Sequence, residues 1–74
     1  MARIPIPSPT SGILSSQAAE DGALMEEGES IGQVEVMKMF TDVMSPATGR
    51  IKWLIGLGEC VEYDDILAEI ETEG

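Results

Sequence analysis

Histidine is absent from this 74-residue chain, and cysteine occurs once, at Cys60. A lone cysteine makes no internal disulfide and no cysteine-based zinc site, so neither device is expected to support the fold. Cations are nearly as scarce. Four Lys and Arg stand against fourteen Asp and Glu, a formal net charge of −10. Nucleic acid and anionic lipid both demand clustered cations, so no nucleic acid and no membrane is expected as a partner. Long apolar runs are missing as well. No stretch reaches the roughly 18 residues that a spanning helix requires, and the opening Met1-Ala2-Arg3-Ile4-Pro5-Ile6-Pro7 lacks the apolar centre of a secretory signal. With its single cysteine the chain is expected in a reducing compartment, the cytoplasm.

What remains is 43% apolar, enough for a small globular core and near the lower limit for folding on burial alone. Pro5, Pro7 and Pro9 block any helix at the start and suit an extended edge segment. Ile13 and Leu14 anchor a weak strand over 12–18, and Ala23-Leu24-Met25 a brief one. The stretch from Gly49 to Leu57, with Ile51, Trp53, Leu54, Ile55 and Leu57, reads as a strand of about nine residues with Trp53 in the core. In the last segment Ile66, Ala68 and Ile70 share one face of an extended chain, with Leu67, Glu69 and Glu71 on the other. Seven or eight short strands separated by Gly and acidic turns give an all-β chain, a small sandwich or flattened barrel. The carboxylates of Glu26-Glu27-Gly28-Glu29 and Asp64-Asp65 lack the alternating oxygen ligands and twelve-residue loop of an EF-hand, so no metal is expected there.

Residues 34–43 are the centre of the chain. Val34-Glu35-Val36 and Phe40-Thr41-Asp42-Val43 both favour strands and flank Met37-Lys38-Met39. One reading is a continuous strand with a solvent-facing lysine. The other is a hairpin turning near Met37-Lys38-Met39, without the Gly, Asn, Asp or Pro that a tight turn ordinarily uses. In that hairpin Val36 and Phe40 are expected to face inward as anchors. An internal repeat favours the hairpin. Ser8-Pro9-Thr10-Ser11-Gly12 recurs as Ser45-Pro46-Ala47-Thr48-Gly49 at an offset of 37, whereas Gly22 matches Gly58 and Val34-Glu35 matches Ile70-Glu71 at 36. One residue is therefore lost from the second copy between Gly49 and Gly58. The expected organisation is one domain over 1–74 with half-repeats at about 6–36 and 43–72, and Lys38 at their junction.

Glu35-Val36-Met37-Lys38-Met39 resembles the biotin-attachment motif of biotin carboxyl carrier domains, whose usual form is Glu-Ala-Met-Lys-Met. The likeness extends over nearly the whole chain: the Ser-Pro-x-x-Gly opening, Glu27-Gly28, the Pro-x-x-Gly reprise, the closing Ile-Leu-Ala-Glu-Ile-Glu and the 36 residues after Lys38. Val-Met-Lys followed by Phe is similar to carriers of the acetyl-CoA carboxylase type. Between Ser8 and Lys38 there is no room for the protruding "thumb" of some bacterial carriers, so the chain resembles the thumbless ones. The resemblance implies two four-stranded antiparallel sheets related by a pseudo-twofold, with the first and last strands close together.

It also implies covalent biotin on Lys38, added by biotin protein ligase, with Glu35, Met37 and Met39 contributing to recognition by the ligase and later partners. Those partners would be a biotin carboxylase and a carboxyltransferase of an acyl-CoA carboxylase in fatty acid biosynthesis. Position alone also favours Lys38 over the other lysine, Lys52, which lies between Ile51 and Trp53. Two rivals share the fold. A lipoyl carrier usually flanks its lysine with Asp and a small residue, and an unmodified interaction domain needs no singled-out lysine. A catalytic role of its own is disfavoured by the absent histidine and the lack of a Ser-centred nucleophile motif, so no catalytic residue is assigned.

Overall fold

The computed structural model describes residues 1–72, all of them in strands, turns and loops. Eight strands follow in chain order: β1 (Ala2–Pro7), β2 (Gly12–Gln17), β3 (Leu24–Met25), β4 (Ser30–Val36), β5 (Met39–Met44), β6 (Gly49–Trp53), β7 (Cys60–Val61) and β8 (Ile66–Thr72). They form two four-stranded antiparallel sheets, β1-β8-β6-β3 and β5-β4-β2-β7. The first and last strands pair along their length, from Ala2 opposite Thr72 to Pro7 opposite Ile66. The fold is thus a flattened sandwich in which each sheet takes two strands from each half of the chain.

Adding 37 or 36 to the number of a residue in β1–β4 gives its counterpart in β5–β8, and the two sheets then share one pattern. Ser8 donates its amide to Asp65 O and accepts from Asp64 N, while Ser45 donates to Glu29 O and accepts from Gly28 N. Both serines are buried, and each hydroxyl donates to a carbonyl two residues on, Thr10 O at 2.6 Å and Ala47 O at 2.7 Å. The conserved function of the two Ser-Pro segments is therefore to turn the chain out of an edge strand with every buried polar group partnered. Gly12 and Gly49 also correspond. A Cβ on either would collide with a backbone carbonyl of the neighbouring strand, Glu35 O or Glu71 O, so the strands cross too closely for any side chain.

The residue missing from the second copy can be placed. In β2·β4, Leu14 opposes Val34 and Ser16 opposes Gln33, so Ser15 bulges out of register. In β6·β8 the corresponding pairs are Ile51 with Ile70 and Lys52 with Glu69, without interruption. Ser15 is the extra residue, accommodated as a β-bulge whose hydroxyl donates to Gln33 O.

Ile6, Leu14, Ile31, Val34, Ile51, Leu67 and Ile70 are almost wholly buried and fill the space between the sheets. Three expectations need correction. First, Leu67 is buried beside Ala68 and Ile70, while Ile66 is 40% exposed. The register of β1·β8 shifts between Ile6 and Pro7, and the resulting bulge at Leu67 interrupts the alternation of faces. Ile31 occupies the equivalent bulge of β4·β5 and is equally buried. Second, β6 stops at Trp53 and does not run to Leu57. The Trp53 amide donates to Asp21 Oδ1, the chain then folds into the Gly56–Glu59 turn, and Leu54 and Leu57 are exposed. Ile55 still packs against the core, as does half-buried Trp53, whose indole N–H donates to Ala19 O at 3.0 Å. Third, of the two apolar anchors in β2 only Leu14 faces the core, because its neighbour Ile13 points to the opposite side of the pleat.

Candidate functional site

β4 and β5 form a hairpin whose last pair is Val36 opposite Met39, leaving Met37 and Lys38 as a two-residue turn. Both turn residues have positive φ, 49° at Met37 and 66° at Lys38. Two successive left-handed residues define a type I′ turn, the turn whose twist matches a right-handed hairpin. Neither is Gly, Asn or Asp, so each costs on the order of 1 kcal/mol of local strain that the hairpin must offset. Val34 and Val43, buried further down the two strands, hold it in place. The continuous-strand alternative is thereby excluded. Among the described residues only one other non-glycine, Asp64, has positive φ.

The turn projects its side chains into solvent. Met37 is 90% and Met39 70% exposed, and Lys38 is exposed between them. Among the described residues the only ion pair joins Arg3 and Glu71, at 3.4 Å, so the Lys38 amine has no carboxylate holding it down. Lys52, within the apolar strand between Ile51 and Trp53, is also exposed. It stands mid-sheet on the outer face of β6, opposite Glu69, so setting rather than accessibility separates the two lysines. Arg3 and Arg50 share that outer face, both opposite Glu71. Three of the four bases therefore line one sheet, and Lys38 stands alone at the tip of the other.

Val36 is half-buried, but Phe40 is 58% exposed and does not anchor the hairpin from within. Phe40 lies three residues from buried Val43, an odd separation that puts it on the opposite face of the strand. That parity was legible in the sequence. On the outer face Phe40 stands opposite Glu35, and Glu35 in turn opposite Ile13, so the Glu35 carboxylate lies between two exposed apolar side chains. Glu35, Met37, Lys38 and Met39 are thus brought together within the turn and the last two pairs of one hairpin. Chemically the arrangement offers one free primary amine on a short stiff support, rimmed by thioethers and a benzyl ring. No group of three or more His, Cys, Asp or Glu among the described residues is placed to hold a metal ion.

A family model described as "Biotin-requiring enzyme" matches residues 2–70 of the chain. An acetyl-CoA carboxylase of Dictyostelium discoideum is 32% identical over 60 residues, which is 81% of this chain and 3% of that protein. The urea carboxylase of Kluyveromyces lactis contains a similar structure, with a TM-score of 0.87 and 25% identity over 96% of this chain and 6% of that one. A single-chain, multi-domain long-chain acyl-CoA carboxylase shares the fold with a TM-score of 0.80, at 23% identity over 96% of this chain and 7% of its own. This chain therefore spans only a small part of the length of the proteins it matches.

Proposed function

This chain belongs to the Biotin-requiring enzyme family, as a biotin/lipoyl attachment domain resembling the carrier domains of carboxylases, and on that premise we propose that Lys38 carries biotin in amide linkage. The observation that carries this reading is the lysine's setting. It is the one base away from the charged sheet, it makes no ion pair among the described residues, and a left-handed turn holds it at the apex of a hairpin.

The attachment chemistry suits that amine. Lys38 Nζ, deprotonated, attacks the acyl carbon of an acyl-adenylate presented by biotin protein ligase. The N–C bond forms, the C–O bond to AMP breaks, AMP departs and the proton passes to solvent. The product amide is neutral, which takes the formal charge from −10 to −11. Glu35, Met37 and Met39 form the surface that the ligase and later partners touch, with the methionines as soft, adaptable contacts.

Once attached, biotin takes up carboxylate at a biotin carboxylase and releases it to an acyl-CoA, acetyl-CoA being our choice, at a carboxyltransferase. The chain itself contributes delivery. A tether replaces two bimolecular encounters by a high effective concentration at each site. The stiff hairpin confines mobility to the side chain and its adduct.

Intact mass after incubation with biotin, ATP and biotin protein ligase tests the reading. One biotinyl increment is expected in the wild type and none in Lys38→Arg. Retention of the increment in Lys38→Arg would move the site to Lys52. No increment with biotin, but one with lipoate and a lipoyl ligase, would replace biotin by lipoate. No adduct from either would leave an unmodified interaction domain.

A further inference from the structure

The two sheets end in equivalent edge strands, β1 in one and β5 in the other, and the two edges differ in one respect. In a two-residue hairpin the pair flanking the turn exchanges both backbone hydrogen bonds, and alternate pairs do so thereafter. Val36 with Met39 and Val34 with Thr41 are therefore bonded across β4·β5, and the amides and carbonyls of Phe40 and Asp42 point away from β4. No strand lies beyond β5 to receive them. Adding or subtracting 37 shows what β1 has at the matching places: Pro5 stands for Asp42 and Pro7 for Met44. Proline has no N–H, so β1 offers no outward donor at these two places, a common protection of exposed edges. The edge of β5 has no such protection.

The surroundings of β5 select an occupant. Phe40 and Met44, 58% and 52% exposed, flank Asp42 on the outer face. Asp42 Oδ1 accepts from Gln33 Nε2 and Ser30 Oγ, both neutral donors, so its charge has no cation. A groove of about 320 Å³ continues along the edge, lined by Pro7, Pro9, Met44, Pro46, Tyr63 and Asp64. It is apolar with acids at Asp42 and Asp64, and no base lines it. A second copy of this chain, with a net charge of −10, is repelled from such an edge.

We propose that β5 is a docking edge: an extended segment of a partner protein, with Lys or Arg alternating with apolar residues, adds to it as a fifth strand and seats one end in the groove. Backbone pairing supplies the attachment, and alternate side chains meet Phe40, Asp42 and Met44. This inference does not rest on the modification of Lys38, and its test uses the unmodified chain.

The probe is an eight-residue peptide of alternating Lys and Val, capped at both ends and titrated into ¹⁵N-labelled protein. Amide shift changes are expected along Phe40–Met44 and at the groove residues Tyr63 and Asp64, with none at Arg3 and Ile4, the part of β1 away from the groove. The Phe40 and Asp42 amides are expected to exchange more slowly with solvent by at least threefold. Asp42→Pro copies the protection of β1 and is expected to weaken binding tenfold or more. Met44→Lys, at an exposed position that leaves the core untouched, is expected to weaken it about as much, so the test stands even if the proline variant misfolds. Lys38→Arg is expected to bind like the wild type. Shift changes spread over the acidic turns at Glu26–Glu29 and Glu59–Asp65 without protection of Phe40 and Asp42 would overturn the proposal, as would unchanged affinity in Met44→Lys.

Discussion

The outer faces of the two sheets have the same plan and opposite chemistry. In one, a row across the strands reads Arg3, Glu71, Arg50 and Leu24; in the other, the matching row reads Phe40, Glu35, Ile13 and Cys60. Each row has a glutamate in the same place. Glu71 is flanked by two arginines and pairs with Arg3. Glu35 has a phenylalanine and an isoleucine instead. The first face satisfies its own charges and asks nothing of a partner. The second leaves a half-buried carboxylate without a cation and sets exposed apolar side chains around it next to Lys38. Since the backbone is common to both, the difference lies in side chains that folding did not need to fix. It supports the Lys38 sheet as the contact face proposed above.

The most damaging way to probe the likeness of the two sheets is at their shared glycines. Gly12→Val and Gly49→Val each force a side chain against a neighbouring carbonyl, and each is expected to cost more than about 3 kcal/mol, enough to unfold much of a domain this small at 37 °C. Circular dichroism melts would read it; a folded Gly49→Val beside an unfolded Gly12→Val would break the equivalence. Next come the paired bulges. Ile31→Ala and Leu67→Ala each empty a fully buried bulge position and are expected to lose about 2–4 kcal/mol in urea unfolding, the two values agreeing within about 1 kcal/mol.

Smaller effects sharpen the difference between the faces. Met37→Asn relieves a left-handed residue that β1 and β8 have no counterpart for, and a gain of roughly 0.5–1 kcal/mol is expected in the same urea measurement. If stability instead fell, the turn would not be strained as described. Smallest of all, Phe40→Arg recreates beside Glu35 the pair that Arg3 makes with Glu71. Being solvent-exposed, it is expected to change stability by at most about 0.5 kcal/mol, an effect that fades in 1 M salt. Its larger consequence is expected in partner affinity, which titration with the alternating peptide would read as a several-fold loss.

Much of this was legible in the residues because the repeat carries the topology. Ser8-Pro9 and Ser45-Pro46 mark the two exits from edge strands, and the shift in offset from 37 to 36 localises an irregularity that proves to be the bulge at Ser15. The lysine's place at a turn followed from the junction of the copies. Bulges explain where reading by alternation failed. Leu67 turns inward because the register slips beside it, and a slip of register is a property of two strands that neither one displays alone. The end of β6 at Trp53 depends on Asp21, thirty-two residues earlier, supplying an acceptor to its amide. Phe40 is different in kind. Its parity with Val43 already put it outside, and an assumption that large apolar residues face inward obscured it.

The pairing of β1 with β8 has the register of a second hairpin. Ala2 opposite Thr72 corresponds to Met39 opposite Val36, so the outermost pair of β1·β8 at one end of the sandwich matches the pair that flanks the Met37-Lys38 turn at the other. It follows that the two ends of the sandwich are equivalent in register. A circular permutant that joins Thr72 to Ala2 through Asn-Gly and opens between Met37 and Lys38 would keep every strand and every register. The β1·β8 register is set by buried residues such as Ile6, Ala68 and Ile70, and Val34 and Val43 do the same for β4·β5, so the core places little demand on which two residues bridge β4 and β5. The identity of those residues is thereby left open to the recognition proposed above for Met37 and Lys38.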